Sequence, residues 1–197
     1  MIKPQDFDTT QGFSDFIALP AGGYICQILK VEECKSSTGK DMIKIYLDIA
    51  DGDFKEYYTN LYKSDTRQDK KWGCVVNQLV YDNNGATNRG FKSFVTSVEE
   101  SNKHFKLVWG DKFAGCFKGT FVGVLFGREE YLNSQGSKKW ITKPRFFRGV
   151  DTIKAGDYTV PEDKPLTSTD NLPAGFDEFV PPQHNSGAAG AGDDLPF

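Results

Sequence analysis

A mainly β domain with one or two helices is the fold class this sequence predicts, and three observations predict it. Residues 42–49 alternate apolar and polar side chains without a break. Glycine-bearing turn segments recur on both sides of that stretch and again near residue 135. Only residues 72–98 switch to helical spacing. The 197 residues, 38% hydrophobic and 14% aromatic, suffice for one domain with a real core plus an appendage.

In chain order, residues 1–18 are polar with scattered rings (Phe7, Phe13, Phe16) and read as a leader that packs on the body. Pro20-Ala-Gly-Gly23 punctuates, and Tyr24–Val31 reads as the first strand. Ser36–Asp41 is a hairpin loop. Met42–Ile49 is the second strand, with Ile43, Ile45, Leu47 and Ile49 on one face and Met42, Lys44, Tyr46 and Asp48 on the other. Asp51-Gly-Asp53 turns the chain into a third strand over Phe54–Tyr62. Trp72, Val75, Val76, Leu79 and Val80 then recur at helical spacing, as do Phe91, Phe94, Val95 and Val98. Beta structure returns over Gly115–Arg128, whose four glycines a helix tolerates badly and a bent barrel strand accepts. Asn133–Gly136 is a hairpin tip and Ser137–Val150 its return strand. Three strands, a helical segment and two more strands is the order of an OB-fold, the five-stranded Greek-key barrel. That places an OB-fold domain at 1–154 and a disordered acidic tail at 155–197, where periodicity fades, prolines punctuate and a Gly187–Gly192 linker follows.

Charge follows the same division. Residues 151–197 hold two bases and nine acids, a balance of −7; of the chain's 24 bases and 27 acids this leaves 22 and 18 in residues 1–150, a balance of +4. A mildly basic body carries an acidic tail. No apolar run approaches the ~20 residues of a membrane span, and the N-terminus lacks the apolar core of a secretory signal. A cytoplasmic protein with four free thiols is expected, since Cys26, Cys34, Cys74 and Cys116 form no Cys-x-x-Cys pair. Two histidines, His104 and His184, leave little for histidine chemistry, and no cofactor or metal is expected.

Thr38-Gly-Lys-Asp41 fails as a phosphate-binding loop, because Cys34 stands where its first glycine belongs and Asp41 where it needs Ser or Thr. The acid pairs Glu32-Glu33, Glu99-Glu100 and Glu129-Glu130 read as solvated faces; two of them cannot converge by themselves, since neighbours in a strand point apart. What stands out is aromatic residues interleaved with bases: Lys44 and Tyr46 on the second strand, Phe54, Lys55, Tyr57, Tyr58 and Tyr62 after it, and Lys138, Lys139, Trp140, Lys143, Arg145 and Phe146 on the last. A groove for single-stranded nucleic acid needs both ingredients, cations for phosphates and rings on which bases stack. Trp72, in helical company with Val75 and Val76, reads as core.

The chain ends Asp193-Asp-Leu-Pro-Phe197. In these residues and the tail before them it is similar to bacterial and phage single-stranded DNA-binding proteins, whose tails close on an acidic tip with Pro and Phe. Leu19-Pro-Ala-Gly-Gly-Tyr24 and Gly39-Lys-Asp-Met-Ile-Lys44 resemble a phage and mobile-element family of small OB-type proteins. The resemblance implies a non-catalytic protein that coats single-stranded DNA in replication, recombination or repair. It also implies that Asp193, Asp194, Leu195, Pro196 and Phe197 dock on a DNA-processing enzyme such as a polymerase, helicase, primase or recombinase. A metal-dependent nuclease and a pure interaction adaptor are the rival readings, and self-association stays open.

Overall fold

Residues 22–49 form the hairpin from which the rest is built. Strand β1 (Gly22–Lys35) and strand β2 (Asp41–Ile49) pair antiparallel around a loop closed by the Ser36 N–H on the Lys40 carbonyl and the Lys40 N–H on the Ser36 hydroxyl. The computed structural model describes residues 3, 5, 17–133 and 135–166; most of the expected leader and the tail beyond 166, including the 193–197 tip, lie outside the described residues. The alternation in β2 holds, with Ile43, Ile45, Leu47 and Ile49 fully buried. In β1 the alternation breaks at Leu29, an extra residue between the pairs Ile28–Leu47 and Lys30–Tyr46. This bulge lets both Ile28 and Val31 face the core.

Two elements change type from the sequence reading, and the strand expected from Gly115 begins only at Phe121, its first residues forming a 3-10 turn. Phe54–Tyr62 is not the third strand; helix α1 (Tyr57–Ser64) occupies most of it. The cause lies in β2. The buried Asp48 carboxylate accepts hydrogen bonds from the backbone N–H of Tyr58 (3.0 Å) and Thr59 (3.1 Å) and from the Thr59 hydroxyl (2.5 Å). These satisfy the orphan donors at the start of a helix, although the capping acid is nine residues upstream of Tyr57. The segment expected to continue as a helix from Trp72 becomes the true third strand, β3 (Val75–Leu79), paired with Met42–Tyr46. The free edge of β2 needs backbone partners, and adjacent β-branched Val75 and Val76 suit that edge better than a helix. Trp72 is buried as expected and donates its indole N–H to the Leu47 carbonyl at 2.8 Å.

Helix α2 (Arg89–Ser101) follows, capped by the Asn88 side chain on the Gly90 N–H, and buries Phe91, Phe94, Val95 and Val98. A 3-10 turn (Ala114–Phe117) leads into β4 (Phe121–Leu132), which pairs with β1 and then with β5 (Lys138–Arg148). The sheet order β3-β2-β1-β4-β5, with α2 between β3 and β4 in the chain, is OB connectivity. The barrel is not closed: β3 and β5 make no ladder among the described residues, and α2 fills the gap between them. Phe94 packs on Phe117 and Phe147, each with ring centroids 5.0 Å apart.

Packed structure continues past residue 154. Helix α3 (Val150–Ala155) and the segment after it pack on the sheet. Tyr158 lies where a Cβ on Gly23 would stand at 2.5 Å, and Pro161 where one on Gly127 would stand at 2.9 Å, so both strands need glycine there. Lys164 then bridges to Glu129 in parallel, its N–H and C=O bonded to Arg128 and Glu130. Residues 157–166 are thus a strap along β4 beyond the end of β1. All four cysteines are free, Cys26 and Cys74 buried. No helix among the described residues is long and apolar enough to cross a membrane.

Candidate nucleic-acid interface

Paired residues on antiparallel strands share a face, so the β4–β5 register sorts the candidates of the last strand. Val124 and Phe126 face the core; their partners Phe147 and Pro144 do too, and the same face continues outward through Arg128–Thr142, Glu130–Trp140 and Leu132–Lys138. The opposite face carries Lys139, Lys143, Phe146 and Arg148. The expected set is therefore divided between two sides of one ribbon.

On the first side, Trp140 is 45% exposed and the Arg128 guanidinium sits 5.4 Å from its ring centroid. Asp163 of the strap grips Arg128 through two guanidinium nitrogens, Nε at 2.9 Å and Nη2. Lys138 is paired with Glu130 at 3.2 Å. On the second side, Phe146 is 53% exposed with Arg148 5.7 Å from its centroid. Lys139 is exposed beside Tyr131 across the ladder. Burial pushes the Lys143 ammonium below the usual lysine range, an effect that the nearby Glu129 carboxylate opposes. Arg145 lies 3.6 Å from that same carboxylate, which Lys164 also approaches at 3.5 Å.

On β2, Lys44 and Tyr46 share the face turned from the core, as expected. Tyr46 is half-buried, donates its hydroxyl to Glu32 at 2.7 Å, and has the Lys30 ammonium 5.8 Å from its ring. Burial, then the Glu32 bond, pushes the Tyr46 phenol up to about 12, while Lys30 and Tyr46 together hold Glu32 below the usual carboxylate range.

The α1 segment behaves otherwise. Tyr58 is 3% exposed, edge-on to Tyr57 at 5.1 Å and nearly parallel to Phe126 at 6.5 Å, and burial raises its phenol well above its ordinary value. No base can reach that ring, so Tyr58 leaves the binding set. Phe54 is half-buried between Tyr24 and Tyr57. Tyr57 accepts the Leu19 N–H and donates to the Ile17 carbonyl, each at 3.2 Å. Tyr62 leans on Trp72 at 5.7 Å with the Lys70 ammonium 4.4 Å over its ring. Only Lys55 of this group is fully exposed.

Residue patterns missed Arg128 and Lys30. Counting outward from the Asn133–Gly136 turn sets Arg128 opposite Thr142, diagonal to Trp140. The Leu29 bulge puts Lys30 opposite Tyr46, and that bulge has no sequence signature. Phe146 and Arg148 also line a cleft of about 90 Å³ with Val76 and Gln78 of β3 and Gly90 and Ser93 of α2, at the seam where the barrel stays open. Among the described residues no group of three or more His, Cys, Asp or Glu side chains could hold a metal ion. No family model and no curated protein matches the chain. Exposed rings with guanidinium groups over them can hold a ligand that offers flat faces and negative charge together.

Proposed function

We propose that this protein binds single-stranded DNA with little regard to sequence and, through Asp193–Phe197, recruits DNA-processing enzymes in a bacterial or phage setting. One observation carries the reading: the two most exposed rings of the last strand, Trp140 and Phe146, each have an arginine over them, on a body of positive balance. Bases stack on such rings at about 1–3 kcal/mol each, and phosphates follow the cations. OB connectivity supports it, because the sheet face and the hairpin before the fifth strand are where that fold takes oligonucleotides. The tip contributes chemistry of its own: Phe197 fills an apolar pocket while Asp193, Asp194 and the α-carboxylate meet bases at its rim.

A mobility shift with single- and double-stranded DNA over a range of salt tests the body. Preference for the single strand, with log affinity falling linearly in log salt, is expected. Equal affinity for duplex, or a flat salt response, sinks the groove. Magnesium-dependent loss of the oligonucleotide would favour the nuclease instead. For the tip, pull-downs with intact, 193–197-truncated and Phe197→Ala proteins should differ; identical partners in all three would remove the tip from the proposal.

A further inference from the structure

Trp109 has no part in the β4–β5 ribbon just described, yet at 67% exposure it is the most exposed aromatic ring among the described residues. Exposure alone means little, but this ring is packed on one side. It lies nearly parallel to Phe113, centroids 5.3 Å apart and planes 14° apart, and 6.5 Å from Phe91. Both supporting rings are buried, and Phe113 is in turn edge-on to Phe117 at 5.2 Å. The loop beneath is fixed by the Phe113 N–H on the Gly110 carbonyl and the Phe105 N–H on that of Asn102. One face of the indole is therefore anchored and the other is offered to solvent. The order of a stacking surface has been set before any ligand arrives.

Its surroundings choose the ligand. Residues 102–113 carry Lys103, Lys106 and Lys112 against the single acid Asp111. All three lysines are exposed and form no salt bridge with a described residue. Exposed apolar surface in this loop amounts to Trp109 and Val108, one ring wide and bordered by cations. A protein-docking patch is broad and apolar, whereas a flat ring among lysines fits a polyanion that presents aromatic faces. The place is also continuous with the seam. Gly90 and Ser93 in the first turns of α2 line the cleft with Phe146 and Arg148, and Phe91, next to Gly90, touches Trp109. Arg89 and Lys92 of those turns are exposed.

We infer that the Trp109–Phe113 stack is a second base-stacking platform, which takes a base of the same single strand after it crosses from Phe146 and Arg148 over the start of α2. The inference rests on the proposed function and extends the strand's path beyond the β4–β5 ribbon. Short oligonucleotides fill the β4–β5 ribbon alone; longer ones reach Trp109.

The test is a length series of oligo-dT titrated into the full chain and into its Trp109→Ala, Trp109→Phe and Trp140→Ala variants. Thermal unfolding of each variant checks that the fold is intact. Trp109→Ala should weaken the longer oligonucleotides roughly five- to hundred-fold and leave the shortest binders unchanged. Trp109→Phe should keep most of that affinity, and Trp140→Ala should weaken every length. Wild-type binding that Trp109→Ala leaves untouched at all lengths overturns the platform while the proposed function stands. Failure of the wild-type protein to bind any oligonucleotide overturns both. If Trp109→Ala instead turns a dimer into a monomer in sedimentation without altering affinity, the ring belongs to a contact between copies of this chain, and the platform is wrong.

Discussion

Residues 54–62 and residues 138–148 look alike in sequence, each combining aromatic rings with lysine, yet one closes the core and the other faces water. The difference lies in what each backbone pairs with. The first segment finds the Asp48 carboxylate, coils into α1, and its Tyr57, Tyr58 and Tyr62 gather against Leu19, Phe126 and Trp72 at the end of the sheet. The second is the outermost strand, with β4 on one side and no described strand in register on the other, so Trp140 and Phe146 find arginines instead of a core. Aromatic–basic interleaving marks amphipathic rings; it does not say which way they face. Backbone partners decide that.

The comparison breaks most visibly at Tyr58. Replacing this buried ring with alanine should cost on the order of 3–5 kcal/mol of stability, read from the urea midpoint. A variant of undiminished stability would mean the ring is not packed as described. Trp140→Ala is the mirror case, with about 1–3 kcal/mol lost from single-strand affinity and stability changed by no more than about 0.5 kcal/mol. If Trp140→Ala lowers stability and spares affinity, the two regions have exchanged roles. Tyr46→Phe sharpens the intermediate case. It removes the hydroxyl bonded to Glu32 and keeps the ring, so stability should fall by about 1 kcal/mol and DNA affinity should hold. A loss of affinity there would make the phenol itself a DNA contact.

The smallest effect concerns two buried acids whose slopes with pH should oppose each other. Burial outweighs the hydrogen bonds to Asp48 and raises its carboxyl, so the folded state holds that proton more tightly than the unfolded chain. Its contribution to stability therefore grows as pH falls through the raised value and levels off below the ordinary carboxylate range. Asp65 is held down by the Arg67 side chain at 2.6 Å; its contribution is present above the ordinary range and is lost as pH falls through the lowered value. Urea unfolding of Asp48→Asn and Asp65→Asn against wild type, from neutral to acid pH, should give differences of opposite sign in slope. Parallel slopes would mean that one of the two environments is misassigned.

Much of this could be read before the structure. Strict alternation in residues 42–49 oriented β2 correctly, because a two-residue period has one meaning on a sheet with a buried face. The 3.6-residue period of Phe91, Phe94, Val95 and Val98 found α2, and Asn133–Gly136 found the last hairpin. Residues 54–62 and 72–80 were illegible for a shared reason. Each is short, and each owes its form to β2, through a side chain in one case and an open ladder in the other. The site was legible in composition and not in arrangement. Lys44, Tyr46, Trp140 and Phe146 carry the expected chemistry, but their division between faces depends on bulges and pairings that no local pattern announces.

The irregularity in β5 bears on how this strand tolerates changes of length. Leu125 pairs with Phe146 and Phe126 with Pro144, so Arg145 has no place of its own in the ladder. Removing Arg145 would leave every other residue of β5 with its present partner and its present face; the loss is a local bend and an ion pair with Glu129. Removing Thr142 instead would move Lys138 through Ile141 by one step and carry Trp140 to the other side of the ribbon, away from Arg128. Of two single-residue deletions three positions apart, one leaves the register untouched and the other takes the exposed tryptophan from its arginine.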